Sequence, residues 1–309
     1  MGHVLDIEKL CRDLAVPFDF TAHDYFTVCP QVKMTDTAGR FCGAPAEDEC
    51  NRCLAARPTD PPLDIARWRH RHAWLSEAGR VITPSADAAL RLRRYFLRST
   101  PVAAVHPSPT AKATLSPTRL PASAPLRIAA TGVMTWEKGL HNLSVCAEQA
   151  RRRRLPLEFV LAGYVEKGLP QQHAFSQTGK YENAEARALL TGLAPHVVWY
   201  PTVWPETFSY TLTISLEAEL PVVVPAIGAF PERVNGRDWS WIVPWNWTPA
   251  EFLDFFLRIR QENFVAWIAP ERPHGSSLPE AAHTAFYPRE YLEPLQQKPR
   301  SLPASSGLL

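Results

Sequence analysis

Strand-sized runs of apolar residues alternate along this chain with stretches whose apolar positions fall three and four apart. That alternation predicts an α/β protein with parallel sheets. Near the start, Ile7, Leu10, Cys11 and Leu14 share one face of a helix over 6–14, which Pro17 ends. Residues 18–22 read as a strand that delivers His23, Asp24 and Tyr25 at its C-terminal edge. Ile65, Trp68, His72 and Leu75 stand at helical spacing within 62–79, opposite an Arg- and His-rich face. The stretch RVITPS, 80–85, predicts a short buried strand followed by a helix over 88–96. Ser85 has the character of its N-cap, and Asp87 lies in the first turn, where the helix dipole favours it. A further strand over 101–106 ends at His106.

The second half repeats the alternation more regularly. Strands are predicted over 126–130, 156–161, 197–200 and 240–244, and helices over 143–152, 184–193 and 249–259. Between them, WPETFSYTLTISLEAELPVVVPAIGAFPERV, 204–234, reads as an amphipathic helix to Leu220, a buried strand and a Gly-containing loop. Its Pro-Val-Val-Val run is too short for a helix and too apolar for a half-exposed strand, so it predicts an inner strand of a parallel sheet. The segment 107–125, PSPTAKATLSPTRLPASAP, has no apolar period and reads as an exposed linker. The organisation expected is a first domain over 1–106 with a Cys-containing insert at about 29–53, a second over 126–285, and a Pro- and Gln-rich extension over 286–309.

At 309 residues the chain has room for two domains, each with its own core. A formal net charge of +2 gives no electrostatic case for nucleic acid. The run Arg151 to Arg154 reads instead as a solvated helix end beside a C-terminal dipole. No apolar run reaches the ~20 residues of a membrane span. The first residues lack the basic-then-apolar pattern of a signal peptide, so the expected compartment is the cytoplasm.

Candidate chemistry gathers at strand ends, which in α/β folds face the ligand crevice. His23-Asp24 is one such pair, read either as a substrate contact or as a loop His bonded to nearby backbone. Gly132, Lys138 and Gly139 lie between a strand and a helix start, where unpaired N–H groups and a mobile cation suit an anion. Trp199 and Tyr200 either stack on a base or join the core, and WSWIVPWNW, 239–247, is either a carbohydrate platform or a buried strand flanked by aromatics. Cys29, Cys42, Cys50 and Cys53 offer four thiols, two of them in Cys-x2-Cys spacing. They read either as a structural zinc site or as reduced, inert cysteines. Cys11 and Cys146 lie on apolar helix faces.

The stretch 204–234 resembles the nucleotide-sugar motif of the retaining, family-4 type glycosyltransferases with the GT-B fold. Glu206 matches the first Glu of their E-x7-E pattern, and Pro221-Val222-Val223 match the strand after it. Gly132, Lys138 and Gly139 match the family's first donor-site loop, Gly179-Lys180-Tyr181 its loop near the donor base, and HDYFTVCP, 23–30, an acceptor-side segment. Four positions depart from the pattern: Val133 stands for Arg, Ser209 for Gly, Ile214 for the second Glu, and Glu219 for Gly.

The resemblance implies two Rossmann-like domains, the first incomplete here because only about twenty residues precede the acceptor-side segment. On that expectation either the chain is a truncated or split product or a partner chain supplies the missing strands, and the alternative to an active enzyme is a scaffold relative that pairs with an active subunit. The implied activity moves a sugar from a nucleotide-diphosphate sugar to a carbohydrate or glycan acceptor with retention, in cell-surface polysaccharide synthesis, without a catalytic metal. Lys138 and the amides near Gly132 and Gly139 would hold the diphosphate, and Tyr181 would lie near the base. Glu206 would bind donor hydroxyls, backbone groups of Phe208, Ser209, Tyr210, Thr211 and Leu212 would complete the pocket, and His23 would face the reacting centre.

Overall fold

Two all-parallel sheets carry the chain, one of three strands and one of six. The computed structural model describes residues 7–96, 102–104, 115 and 117–274. His106, most of the linker and the extension from 286 lie outside the described residues.

The first sheet is built from α1 (Ile7–Asp13), β1 (Asp19–Thr21), α2 (Glu47–Ala55), α3 (Ile65–Arg71), β2 (Arg80–Thr83), α4 (Ala86–Tyr95) and β3 (Val102–Ala104). Its strand order is β1-β2-β3. The helix expected over 62–79 divides into α3, which the Asp64 side chain caps, and a 3₁₀ turn over Ala73–Glu77. Ser85 caps α4 as expected, its hydroxyl accepting from the Ala88 N–H at 3.2 Å. Tyr25, Leu75, Val81 and Leu92 are fully buried between these elements.

The second sheet takes β4 (Leu126–Met134), α5 (Leu140–Arg152), β5 (Leu157–Val165), β6 (Ser176–Gln177), α6 (Ala186–Gly192), β7 (Val197–Trp199), α7 (Tyr210–Glu217), β8 (Val222–Pro225), α8 (Phe230–Val234), β9 (Ser240–Val243) and α9 (Pro249–Ile259). The strand order is β6-β5-β4-β7-β8-β9, so the chain starts mid-sheet, runs outward to β6, then returns to build the other half from β7. The reversal between β4 and β7 is the topological switch point at which such sheets bind ligands. All four residues of β8 are buried, as its uniformly apolar run requires. Leu126, Ile128, Trp199 and Phe256 pack on one face of the sheet, and Ala129, Val198, Leu212 and Phe230 on the other.

One expectation changes and one pair of alternatives is decided. The described end of the linker is not exposed throughout: Leu115 and Leu120 are buried in the core of the second sheet. Arg260, in a π-helical turn after α9, holds it by donating to the Ala124 carbonyl at 2.8 Å. The Trp-rich segment is a core strand and its flanks. Trp239 and Trp241 lean on Phe264, and Trp247 packs on Phe252 and Phe255. Among the described residues no helix is long and apolar enough to cross a membrane.

Candidate functional site

The loops that leave β4 and β7 meet at the switch point, and glycines set how closely they meet. Gly139 has φ +89, and a Cβ there would stand 2.1 Å from the Pro201 carbonyl oxygen. The Glu137 carbonyl then accepts from the Val203 N–H and the Thr202 hydroxyl, each at 2.9 Å. Gly228, φ +63, presses on the next loop, where a Cβ would lie 2.6 Å from the Glu206 carbonyl oxygen. That same oxygen accepts from the Ala229 N–H at 2.9 Å. The backbone of Glu206 is therefore clamped from below.

Above this framework opens a cavity of about 270 Å³, lined among others by His23, Lys138, Glu206, Ser209 and Tyr210. Glu206 is 7% exposed, and its carboxylate takes no hydrogen bond from any described residue. A carboxylate that lines the cavity with its acceptor positions unfilled suits a ligand that brings donors, such as hydroxyl groups. Lys138 is half-buried and has no carboxylate in ion-pair range among the described residues. The N-terminus of α7 carries no side-chain cap, and Ser209, Tyr210 and Thr211 at its start line the same space. A cation and a helix N-terminus together favour a phosphorylated group.

The first sheet's loops close the cavity from the other side. The Thr207 hydroxyl donates to the His23 carbonyl at 2.7 Å, and the exposed His23 ring lines the wall. Lys33 pairs with Glu137 at 3.1 Å, and the Phe41 N–H reaches the Val203 carbonyl at 2.8 Å. The Glu232 carboxylate accepts from the Ala86 and Asp87 N–H groups, both at 3.1 Å, and so occupies the N-terminus of α4.

Two residues support the site in ways the sequence did not show, Tyr200 resolving as the core residue of its two readings. Tyr200 is buried, and its hydroxyl bonds the Thr211 carbonyl at 2.8 Å and the Ser215 hydroxyl at 2.6 Å. Burial pushes its ionisation well above the ordinary tyrosine value. Arg233 lies 1% exposed under the loop before α7 and donates to the carbonyls of Phe208 and Ser209 at 3.0 and 2.7 Å. An Arg in a five-residue helix between two loops gives no periodic cue; only its place in an otherwise apolar turn sets it apart.

The structure brings Lys138, Glu206, His23, Phe208, Ser209, Tyr210 and Thr211 to one cavity, with Gly132 and Gly139 in the framework beneath. Leu212 is fully buried in the core, and its N–H is spent on the Ser209 carbonyl. Tyr181 is not among the residues lining the cavity; it lies in the loop between β6 and α6, within electrostatic reach of Tyr200. Ile214 packs partly buried against the apolar cluster that contains Leu212, and Val133 is half-buried on β4.

The zinc expectation finds no support. Cys50 and Cys53 stand on helix α2, where the Arg57 guanidinium donates to Cys53 Sγ at 3.0 Å and Arg69 to Cys50 Sγ at 3.7 Å. Burial pushes the Cys29 thiol up to about 11 and raises Cys42 as well. Among the described residues no group of three or more His, Cys, Asp or Glu side chains is placed to hold a metal ion.

No protein-family model matches the sequence, and none of the curated proteins matches it. Solved structures do. Sucrose-phosphate synthase from Thermosynechococcus elongatus aligns with a TM-score of 0.51 and 16% identity, over 87% of this chain and 64% of its own. Anabaena HepE in complex with UDP-glucose aligns at 0.50 with 12% identity, over 83% of this chain and 66% of its own. The pneumococcal O-GlcNAc transferase GtfA in complex with UDP and GlcNAc aligns at 0.50 with 11% identity, over 84% and 48%. The fold is thus α/β and GT-B-like, and the chain spans less than two thirds of these neighbours' length.

Proposed function

We propose that this chain binds a nucleotide-diphosphate sugar at the switch point and transfers its glycosyl group to a carbohydrate acceptor with retention. The observation that carries the reading is the shared cavity of Lys138, Glu206 and the uncapped start of α7. In this reading Lys138 and the α7 amides hold the diphosphate and stabilise charge as it leaves. Glu206 accepts hydrogen bonds from donor-sugar hydroxyls, and His23 meets the acceptor from the first sheet. Fold neighbours crystallised with UDP-glucose, or with UDP and GlcNAc, support a UDP-type donor. The setting we propose is cell-surface polysaccharide synthesis in the cytoplasm.

The test is an assay of nucleoside-diphosphate release from nucleotide sugars in the presence of carbohydrate acceptors, with the product anomer read by NMR. Release with a retained anomer supports the proposal, and an inverted product contradicts it.

A second reading is favoured by Val133 and Ile214, which replace an expected cation and an expected acid with apolar side chains, Ile214 being packed into the core. In it the chain binds a nucleotide sugar without turnover and pairs with an active subunit. Binding without release would select this second reading.

A further inference from the structure

Arg233 is a buried cation behind the cavity, and its hydrogen bonds all go to neutral groups. Nη1 donates to the Phe208 carbonyl at 3.0 Å and the Ser209 carbonyl at 2.7 Å, and Nη2 donates to the Thr213 hydroxyl at 2.8 Å. The guanidinium carbon stands 3.9 Å from the centre of the Phe208 ring, and the buried Nε has no partner. Among the described residues no carboxylate forms an ion pair with it. Glu232, Glu206 and Glu217 act on it only from beyond ion-pair distance, and removing a guanidinium from water without a hydrogen-bonded counter-charge is expensive, so an unbranched apolar side chain would cover Phe208 at less cost. Packing alone therefore does not account for it.

Two physical effects follow from this placement. Drawing the Phe208 and Ser209 carbonyls inward fixes the loop in which Ser209 takes φ +70, and this sets the start of α7 toward the cavity. Its positive charge, held on the Phe208 and Ser209 carbonyls, also lies beside the start of α7, whose dipole already favours an anion. Burial pushes the guanidinium down to about 10, so it remains charged at neutral pH.

At Val133, where the resembled family carries Arg, the cavity lacks a surface cation. We infer that Arg233 supplies the second positive charge of the diphosphate site from beneath the loop, as a positioning residue that never touches the ligand. This rests on the donor-site reading proposed above.

The experiment titrates the full chain with UDP and with UMP, using native protein, Arg233→Gln and Arg233→Lys, after thermal melts establish that each is folded. The Gln variant should bind UDP about tenfold more weakly, with UMP changed less than about threefold, and Lys should return UDP binding to within about threefold. A folded Gln variant with native UDP affinity overturns the inference, as does a Lys variant as weak as Gln. Should the Gln variant not fold, Val133→Arg in the otherwise native chain decides the matter. It should tighten UDP binding less than about threefold, because the charge is already in place, and a gain of about tenfold or more overturns the inference. Native protein that binds no UDP rejects the donor-site reading itself, a result distinct from tight binding indifferent to residue 233.

Discussion

The Thr207 hydroxyl donates to the His23 carbonyl at 2.7 Å, joining positions 184 residues apart. One hydrogen bond thus ties the strand-end loop of the first sheet to the loop that carries Glu206. Both partners lie at the cavity rim, so the shape of the site depends on the two sheets holding together. Thr207→Val keeps the volume and removes the bond. It should cost about 1 kcal/mol of stability, and amide exchange should rise around 22–27 and 204–209 with little change elsewhere. Unchanged exchange in both segments would deny the bond this role.

Glu206 lines the cavity and takes no hydrogen bond from a described residue, so the fold does not depend on its carboxylate. Glu206→Gln should melt at the native temperature or slightly above it while turnover falls about 10- to 100-fold, the range that one charge-assisted hydrogen bond supplies. A large loss of stability would show that Glu206 supports the fold and does not wait for a ligand.

The departure at Glu219 is legible in physical terms. The Glu219 N–H bonds the Leu216 carbonyl at 3.1 Å and the Leu220 N–H bonds the Ser215 carbonyl at 3.1 Å, a Schellman ending of α7 that places Glu219 at φ +55. Only Gly adopts that conformation without strain. Glu219→Gly should raise stability by about 1 kcal/mol in urea denaturation. A loss of stability would mean that the exposed carboxylate makes a contribution the backbone geometry does not reveal.

Alkaline pH should weaken the fold. Burial pushes Cys29 up to about 11 and Cys146 up to about 12, from an ordinary value of 9.0. Between pH 9 and 10 the unfolded thiols ionise and the folded ones do not, so the folded state holds more protons. The stability these thiols contribute is complete below pH 9 and is lost as pH rises, by up to about 1.4 kcal/mol per unit per thiol. Above pH 10 Arg233 and Arg237, pushed down to about 10 by burial, act in the opposite sense. Urea midpoints at pH 8, 9 and 10 should therefore fall at the last step, and a flat or rising series would rule out buried neutral thiols.

Much of this architecture was legible because its signals are local. Pro249 at N1, with Thr248 and Glu251 in a capping box, fixes α9 at the limits its pattern predicts. The apolar run of β8 could be nothing but an inner strand, and Trp199 is fully buried in the core beside it. Lys138 and Glu206 were legible through motif spacing, which places each at a strand-end loop. What was not legible depends on contacts distant in sequence. Arg233 is defined by carbonyls 24 and 25 residues away, and Gly228 by its approach to Glu206. Leu212 was expected to offer its backbone to the pocket, yet its N–H closes the first turn of α7. The cysteines show the same limit: Cys-x2-Cys spacing suits a turn around a metal, but the acidic first turn Glu47, Asp48, Glu49 starts a helix there.

The most direct measurement is a calorimetric titration of the full chain with UDP-glucose and related nucleotide sugars, repeated with Lys138→Ala. The account predicts a saturable site with a dissociation constant on the order of 10–100 μM, weakened about tenfold in the variant. No binding of any common nucleotide sugar at millimolar concentration, or binding indifferent to Lys138, would contradict it.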